Sequence, residues 1–103
     1  MGDQIKIRAQ FQGEIADLRI LMQHPMETGL RKGDKGQTLP AQFIQSFTVS
    51  LNGKPIIDGQ LNTSISKNPL FTFKARGVKS GDKLAVTWVD NTGDKRQDEL
   101  TVA

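Results

Sequence analysis

The chain has 103 residues, a formal charge of +3 and no cysteine. This length fits one domain with a single core, and the lack of cysteine excludes disulfides, thiolate metal sites and cysteine nucleophiles. Lysines and arginines alternate with acids along most of the sequence, which favours a solvated basic surface over a nucleic-acid interface.

Alternating apolar and polar residues dominate the first part of the chain and predict half-buried β-strands. In the segment 5–11, for example, Ile7 and Arg8 are expected to point to opposite faces of a sheet. A second strand in the same phase ends at Met22, and an irregular loop of about residues 25–40 follows it.

The rest of the chain repeats this pattern with clear turn signals. Asn52-Gly53 tolerates positive φ and predicts a tight hairpin turn. Trp88 lies in an apolar run typical of a central strand buried on both faces, so the indole is predicted to be in the core. The predicted strands cover residues 5–11, 18–22, 43–51, 55–61, 70–75, 84–89 and 95–102. This spacing predicts an all-β fold, an immunoglobulin-like or fibronectin type III-like β-sandwich in one domain of residues 1–103.

The only histidine, His24, lies between Met22 and Met26 at the start of the irregular loop. In an extended chain this spacing places two thioethers and an imidazole on one side, a ligand set suited to Cu(I). Against copper, Pro25 interrupts the strand and Met22 fits the inward apolar phase. A buried histidine that fixes the loop is therefore the favoured interpretation, and no metal or cofactor is predicted.

No pattern in the sequence predicts an enzyme. His24 is the only imidazole base, and no serine or threonine carries the local signature of an acyl-transfer nucleophile. Asp98 and Glu99 are neighbours on a strand and point to opposite faces, so they cannot act as a carboxylate pair and are interpreted as a solvated edge. The basic loop 31–35 lacks a phosphate-binding motif and is a candidate contact for an anion or an acidic protein.

The sequence also bears on location. No apolar stretch approaches the ~20 residues that span a bilayer, which predicts no transmembrane helix and no membrane partner. Residues 1–6 do not show a charged segment followed by an apolar one, which predicts no signal peptide. From composition alone the expected compartment is the cytoplasm.

A longer pattern gives a more specific hypothesis. The loop sequence His24-Pro25-Met26-Glu27-Thr28-Gly29-Leu30-Arg31-Lys32 resembles the SoxZ family, the Z subunit of the bacterial SoxYZ sulfur-carrier complex. Further matches in order and at family spacing are Pro40-Ala41-x-Phe43-Ile44, Leu51-Asn52-Gly53, Ser66-x-Asn68-Pro69 and Trp88-x-Asp90-Asn91-x-Gly93. Leu70 departs from the aromatic residue that many relatives carry at this point. Together the matches cover about residues 5–102.

The resemblance implies a noncatalytic subunit of the carrier complex in thiosulfate oxidation. It implies a heterodimer with SoxY, whose flexible carboxy-terminal arm holds sulfur intermediates on a cysteine, and transient contact with other Sox enzymes. It also implies a periplasmic location, because SoxY carries the export signal and the folded pair is exported together. The candidate partner contacts are His24, Met26, Glu27, Arg31 and Lys32, for which recognition and loop architecture are equal alternatives.

Overall fold

The computed structural model describes residues 3–103, which form seven β-strands and no helix, and hence no helical membrane span. The strands are β1 (Lys6–Gln12), β2 (Ile15–Leu21), β3 (Ile44–Leu51), β4 (Lys54–Gln60), β5 (Leu70–Arg76), β6 (Lys83–Asp90) and β7 (Lys95–Thr101). Each begins and ends within three residues of its predicted bounds. Met1 and Gly2 lie outside the described residues. They are the first residues of the predicted domain and of the segment for which no signal peptide is predicted.

The strands pair into two antiparallel sheets. One sheet has three strands in the order β1-β2-β5, and the other has four in the order β4-β3-β6-β7. Because β4 pairs with β3 and not with β5, the arrangement is the fibronectin type III variant of the immunoglobulin-like sandwich. The predicted fold class is confirmed.

The inward-facing side chains of both sheets form one core. Trp88 on β6 has 0% of its surface exposed, so its predicted core position is confirmed. The outer face of β6 is less buried than the sequence predicts, since Val89 is 36% exposed. β6 is therefore central within its sheet but covered on one face only.

Phe47 on β3 organises the aromatic part of the core. Its ring stacks on Phe71 with the centroids 5.1 Å apart and lies 6.2 Å from the ring of Phe73. The same ring covers Gly59 of β4, where an added Cβ would collide with it. A glycine at this position lets the aromatic ring lie against the backbone of the neighbouring strand.

The turns follow the sequence closely. Asn52 and Gly53 have φ values of 51° and 84°, so the predicted hairpin turn with two positive φ angles is confirmed. Pro69 directly precedes β5, as predicted, and its missing N–H therefore removes no hydrogen bond from the middle of a strand.

Asp98 on β7 differs from its interpretation as a solvated residue. It is half-buried, accepts the Ile5 N–H at 2.8 Å and forms an ion pair with Arg96 at 2.8 Å. The hydrogen bond from Arg96 lowers the pKa of Asp98 against the opposing effect of burial, and the Ile5 N–H lowers it further. Asp98 thus ties β7 of one sheet to the chain that enters β1 of the other.

Candidate functional site

His24 lies just after β2 and is 3% exposed. Its Nδ1 accepts the backbone N–H of Met26 at 3.0 Å, and its Nε2 lies 3.0 Å from Asp90 Oδ2. A backbone N–H can only donate, so Nδ1 is the acceptor and the neutral ring carries its proton on Nε2, which donates to Asp90. This matches the favoured interpretation of a buried histidine that fixes the loop.

Asp90 at the end of β6 is the other buried polar residue of this site, at 2% exposed. Its Oδ1 accepts the N–H and the hydroxyl of Thr92 at 2.9 and 2.6 Å, and the N–H of Asp94 at 3.0 Å. Burial raises the pKa of Asp90, but hydrogen bonds from His24, Thr92 and Gln42 outweigh it, so the pKa lies below its usual value. The carboxylate therefore stays charged inside the fold and holds both the β6–β7 turn and the His24 ring.

Trp88 packs against the same imidazole. The two ring centroids are 4.9 Å apart at an interplanar angle of 89°, an edge-to-face contact. Within residues 3–103 the buried indole Nε1–H has no hydrogen-bond partner. The ring thus contributes packing to the site.

Asn68 and Pro69 hold the chain on either side of His24. The His24 N–H donates to Asn68 Oδ1 at 3.0 Å, and the Asn68 N–H donates to the His24 carbonyl at 2.9 Å. The Pro69 carbonyl accepts the Met22 N–H at 2.9 Å. Asn68 has a φ of 53°, which asparagine tolerates better than most residues. The loop before β5 therefore clamps the backbone of the histidine.

Asn91 fastens the far end of the same loop. Its Oδ1 accepts the Phe43 N–H at 2.8 Å, its Nδ2 donates to the Ala41 carbonyl at 2.9 Å, and its N–H donates to the Phe43 carbonyl at 3.0 Å. Ala41 also lies so close to Gly29 that a Cβ there would be 3.2 Å from the alanine Cβ. Gly29 has a φ of 85°, so both conformation and space favour glycine.

The loop between β2 and β3 folds back on itself as a narrow ribbon. Paired backbone hydrogen bonds join Glu27 to Gln42, and an isolated bridge joins Lys32 to Thr38. The segment predicted to be irregular thus has antiparallel contacts, although none is long enough to form a strand. Leu30 lies on this ribbon and is 84% exposed.

The five predicted contact residues divide into two groups. His24 and Met26 are buried, and Met26 adopts a positive φ of 50° while its Sδ accepts the Ile44 N–H at 3.3 Å. Glu27, Arg31 and Lys32 lie toward the surface of the ribbon. His24 and Met26 shape the loop. Arg31 and Lys32 are exposed to solvent, whereas Glu27 is half-buried and its side chain is 16% exposed.

Arg31 and Glu27 form a two-pronged ion pair, with Arg31 Nη2 2.7 Å and Nε 3.0 Å from Glu27 Oε1. The hydrogen bond from Arg31 lowers the pKa of Glu27, and Lys67 adds to this through its charge. The pair borders a cleft of about 520 Å³ between the ribbon and the segment 63–67, with the hydroxyls of Thr28 and Ser66 in its wall. The cleft is open, and cations and hydroxyls lie on both of its sides beside the apolar side chains of Pro25 and Ile65.

The copper alternative requires the groups that already hold the loop. Both ring nitrogens of His24 are engaged, and the Met26 sulfur accepts a backbone N–H. Apart from that Met-His-Met set, the described residues contain no group of three or more His, Asp or Glu side chains placed to hold a metal ion. A metal at Met22, His24 and Met26 would have to displace the Met26 N–H from Nδ1 or break the pair with Asp90.

Sequence reasoning did not identify Asp90, Asn68 and Asn91 as partners of the histidine loop. Asn68 and Asp90 lie 44 and 66 residues from His24, Asn91 directly follows Asp90, and no periodicity connects them with the histidine. A signal was present nevertheless, because all three fall in the segments that carry the family resemblance. Those separate motifs are brought together at one end of the sandwich.

A comparison with known protein families finds a match, and it covers these motifs. The model of the family described as "Sulphur oxidation protein SoxZ" matches residues 5–101, which include all seven strands and the whole network around His24. Among curated proteins no match is found.

Proposed function

Because the chain belongs to the SoxZ family of sulphur oxidation proteins, we propose that it is the noncatalytic subunit of a SoxYZ carrier complex. It would bind SoxY, whose carboxy-terminal cysteine carries the sulfur intermediates, and meet the other Sox enzymes only transiently. The observation that carries this proposal is the family match over 5–101 together with the motif residues that meet around His24.

Two features support a noncatalytic role. The chain has no cysteine that could carry a sulfur adduct. Its single histidine is buried with both ring nitrogens engaged, so it is not placed to accept a proton from a substrate. In this proposal the partner supplies the reactive group and this chain supplies a surface.

The surface we assign to partners is the solvent side of the ribbon, with Glu27, Arg31 and Lys32. His24 and Met26 have an indirect role, since they fix the course of the backbone that presents these charges. For the periplasmic location, we propose that the pair travels as one folded cargo directed by the export signal of SoxY.

Co-expression with a tagged SoxY is the direct test. We expect a stable heterodimer that elutes as one species at micromolar concentration, because permanent complexes of this kind bury on the order of 1,600 Å² or more. Mass spectrometry of the purified pair should find sulfur adducts on SoxY and none on this chain. A chain that stays monomeric beside SoxY, or one that copurifies with copper, would overturn the assignment.

The double replacement Arg31→Ala, Lys32→Ala tests the ribbon. We expect the thermal unfolding midpoint to stay close to that of the wild type, because both side chains are exposed and their contacts are screened by water. Turnover of the reconstituted sulfur-oxidising system should become slower, most clearly at low ionic strength, since exposed charges steer association over long range.

The matched control is Lys54→Ala, Lys95→Ala, which removes the same charge from the ends of β4 and β7. It should leave turnover unchanged. If the ribbon variant unfolds early, Arg31 is an internal brace of the loop through Glu27. If both variants slow turnover equally, the effect belongs to overall charge and the ribbon has no special role.

A further inference from the structure

The outer face of the three-stranded sheet collects cations that are scattered in the sequence. Strand register places three rows across it: Lys6, Leu21 and Leu70; Arg8, Arg19 and Thr72; and Gln10, Asp17 and Lys74. A fourth row ends in Arg76. The face therefore carries five cations and one carboxylate, an excess of +4, whereas the whole chain has +3. The rest of the molecule is slightly acidic.

The centre of this face is electrostatically unfavourable in the free chain. Arg8 on β1 lies directly opposite Arg19 on β2. Like charges directly opposite one another on neighbouring strands destabilise a sheet. None of the ion pairs within residues 3–103 engages Arg8 or Arg19. The fold thus tolerates a repulsive pair at a position where a carboxylate would have been favourable.

Next to these arginines the face exposes apolar surface. Leu70 is 61% exposed and lies opposite Leu21, with Lys6 at the end of the same row. Lys6, Arg8, Arg19, Leu21 and Leu70 together line a shallow groove of about 240 Å³. An apolar floor with cations around it is complementary to an apolar side chain flanked by carboxylates.

Two simpler explanations do not account for all the cations on this face. Charges on edge strands prevent sheets from associating edge to edge, and this suits Arg8 on β1 and Lys74 on β5. It does not account for Arg19, which is on the central strand β2. A nucleic-acid surface would add aromatic rings for stacking, and the outward-facing positions of these three strands hold none.

We propose that the outer face of β1, β2 and β5 is a docking surface for an acidic protein. The occupant presents carboxylates to Arg8, Arg19 and Lys6 and places an apolar side chain against Leu70. This proposal stands on the charge and register of the sheet and does not depend on the identity of the subunit that binds the ribbon.

A short fluorescent peptide, with one leucine flanked by runs of glutamate, is the probe for titration against the full chain. We expect binding that weakens steeply as salt is raised, because exposed charges are screened over about 10 Å at 0.1 M ionic strength. The variant Arg8→Glu, Arg19→Glu should bind at least about tenfold more weakly. Leu70→Ser, which changes no charge, should lose affinity for this peptide but not for one with serine in place of leucine.

The control Lys54→Glu, Lys95→Glu changes the charge equally on the other sheet and should weaken binding much less. The single change Arg19→Glu adds a test within the free chain, since it converts the repulsive pair into an attractive one and should raise the melting temperature. Circular dichroism of each variant confirms the fold.

Equal weakening by both charge-reversal pairs would overturn the proposal, because binding would then follow net charge alone. So would tighter, Arg8- and Arg19-dependent binding of a single-stranded oligonucleotide, or of vesicles made from equal parts of phosphatidylcholine and phosphatidylglycerol. Those results would assign the face to nucleic acid or to anionic lipid.

Discussion

Replacing Trp88 with alanine is expected to lower the free energy of unfolding by roughly 3–5 kcal/mol. The indole is fully buried on β6, and it packs edge to face against His24. Its removal leaves a cavity between the two sheets and takes away the packing surface of the histidine ring. Since domains of this size have about 5–15 kcal/mol in total, the loss is a large share of the stability. Guanidinium unfolding followed by circular dichroism measures it.

Two further variants separate packing from hydrogen bonding. Trp88→Phe keeps an aromatic ring beside His24 and removes an indole N–H that has no partner in residues 3–103, so it should cost clearly less than the alanine change. Leu70→Ala removes a large apolar side chain that is 61% exposed, and it should change stability little. If Trp88→Ala unfolds like the wild type, the core position of the indole is wrong.

The strands were predictable because their signal is local. A period of two residues identifies a half-buried strand without knowledge of its neighbours, and together with the turn signals and the apolar run around Trp88 it located all seven strands. The prediction was least accurate at the start of β2, where Ala16 is fully buried but too small to signal a core position by its type. Pattern alone also could not say that Val89 faces solvent, since an apolar residue on a central strand fits either face.

The network at the loop could be anticipated only in part. The sequence favoured a buried His24, but its partner Asp90 lies 66 residues away. Asp90 begins a typical turn sequence, and nothing in that sequence indicates a buried carboxylate. Only the fold, which places the end of β2 beside the end of β6, brings the two together. The ordered motifs of the family resemblance did contain both residues, although they carried no statement of contact.

The cluster of cations on the outer face of β1, β2 and β5 could not be predicted from the sequence for a related reason. Along the chain, acids and bases alternate, and this pattern suggests an even surface. The register between β1 and β2 then sets Arg8 against Arg19, while most carboxylates lie in turns or on other faces. Register depends on the β1–β2 turn and on which face is buried, so a clustering of charge across strands is visible only in the folded sheet.

The change Asp90→Asn keeps the shape of the side chain and is expected to lower the free energy of unfolding by roughly 1–3 kcal/mol for each buried group left unsatisfied. If the amide oxygen takes the place of Oδ1, the amide N–H₂ faces the Nε2–H of His24, and two donors meet. If the histidine proton moves to Nδ1 to avoid this, it meets the Met26 N–H, and again two donors face each other. With the amide reversed, its donors face the N–H groups of Thr92 and Asp94.

The pH dependence of this cost gives a second measurement. The hydrogen bonds that outweigh burial hold the pKa of Asp90 below its usual value, so the carboxylate stabilises the folded state fully above the unfolded pKa of about 4. That contribution is lost as pH falls through the lower folded pKa, whereas asparagine does not titrate. The stability gap between wild type and Asp90→Asn should therefore be widest at neutral pH and narrow below about pH 4.

Asp58→Asn is the control. Asp58 is exposed and accepts only the Thr48 hydroxyl among the side-chain contacts in residues 3–103, so the stability gap between wild type and Asp58→Asn should be small at every pH. A gap for Asp90→Asn that stays constant down to pH 2 would mean that the buried carboxylate is not held in its charged form by this network.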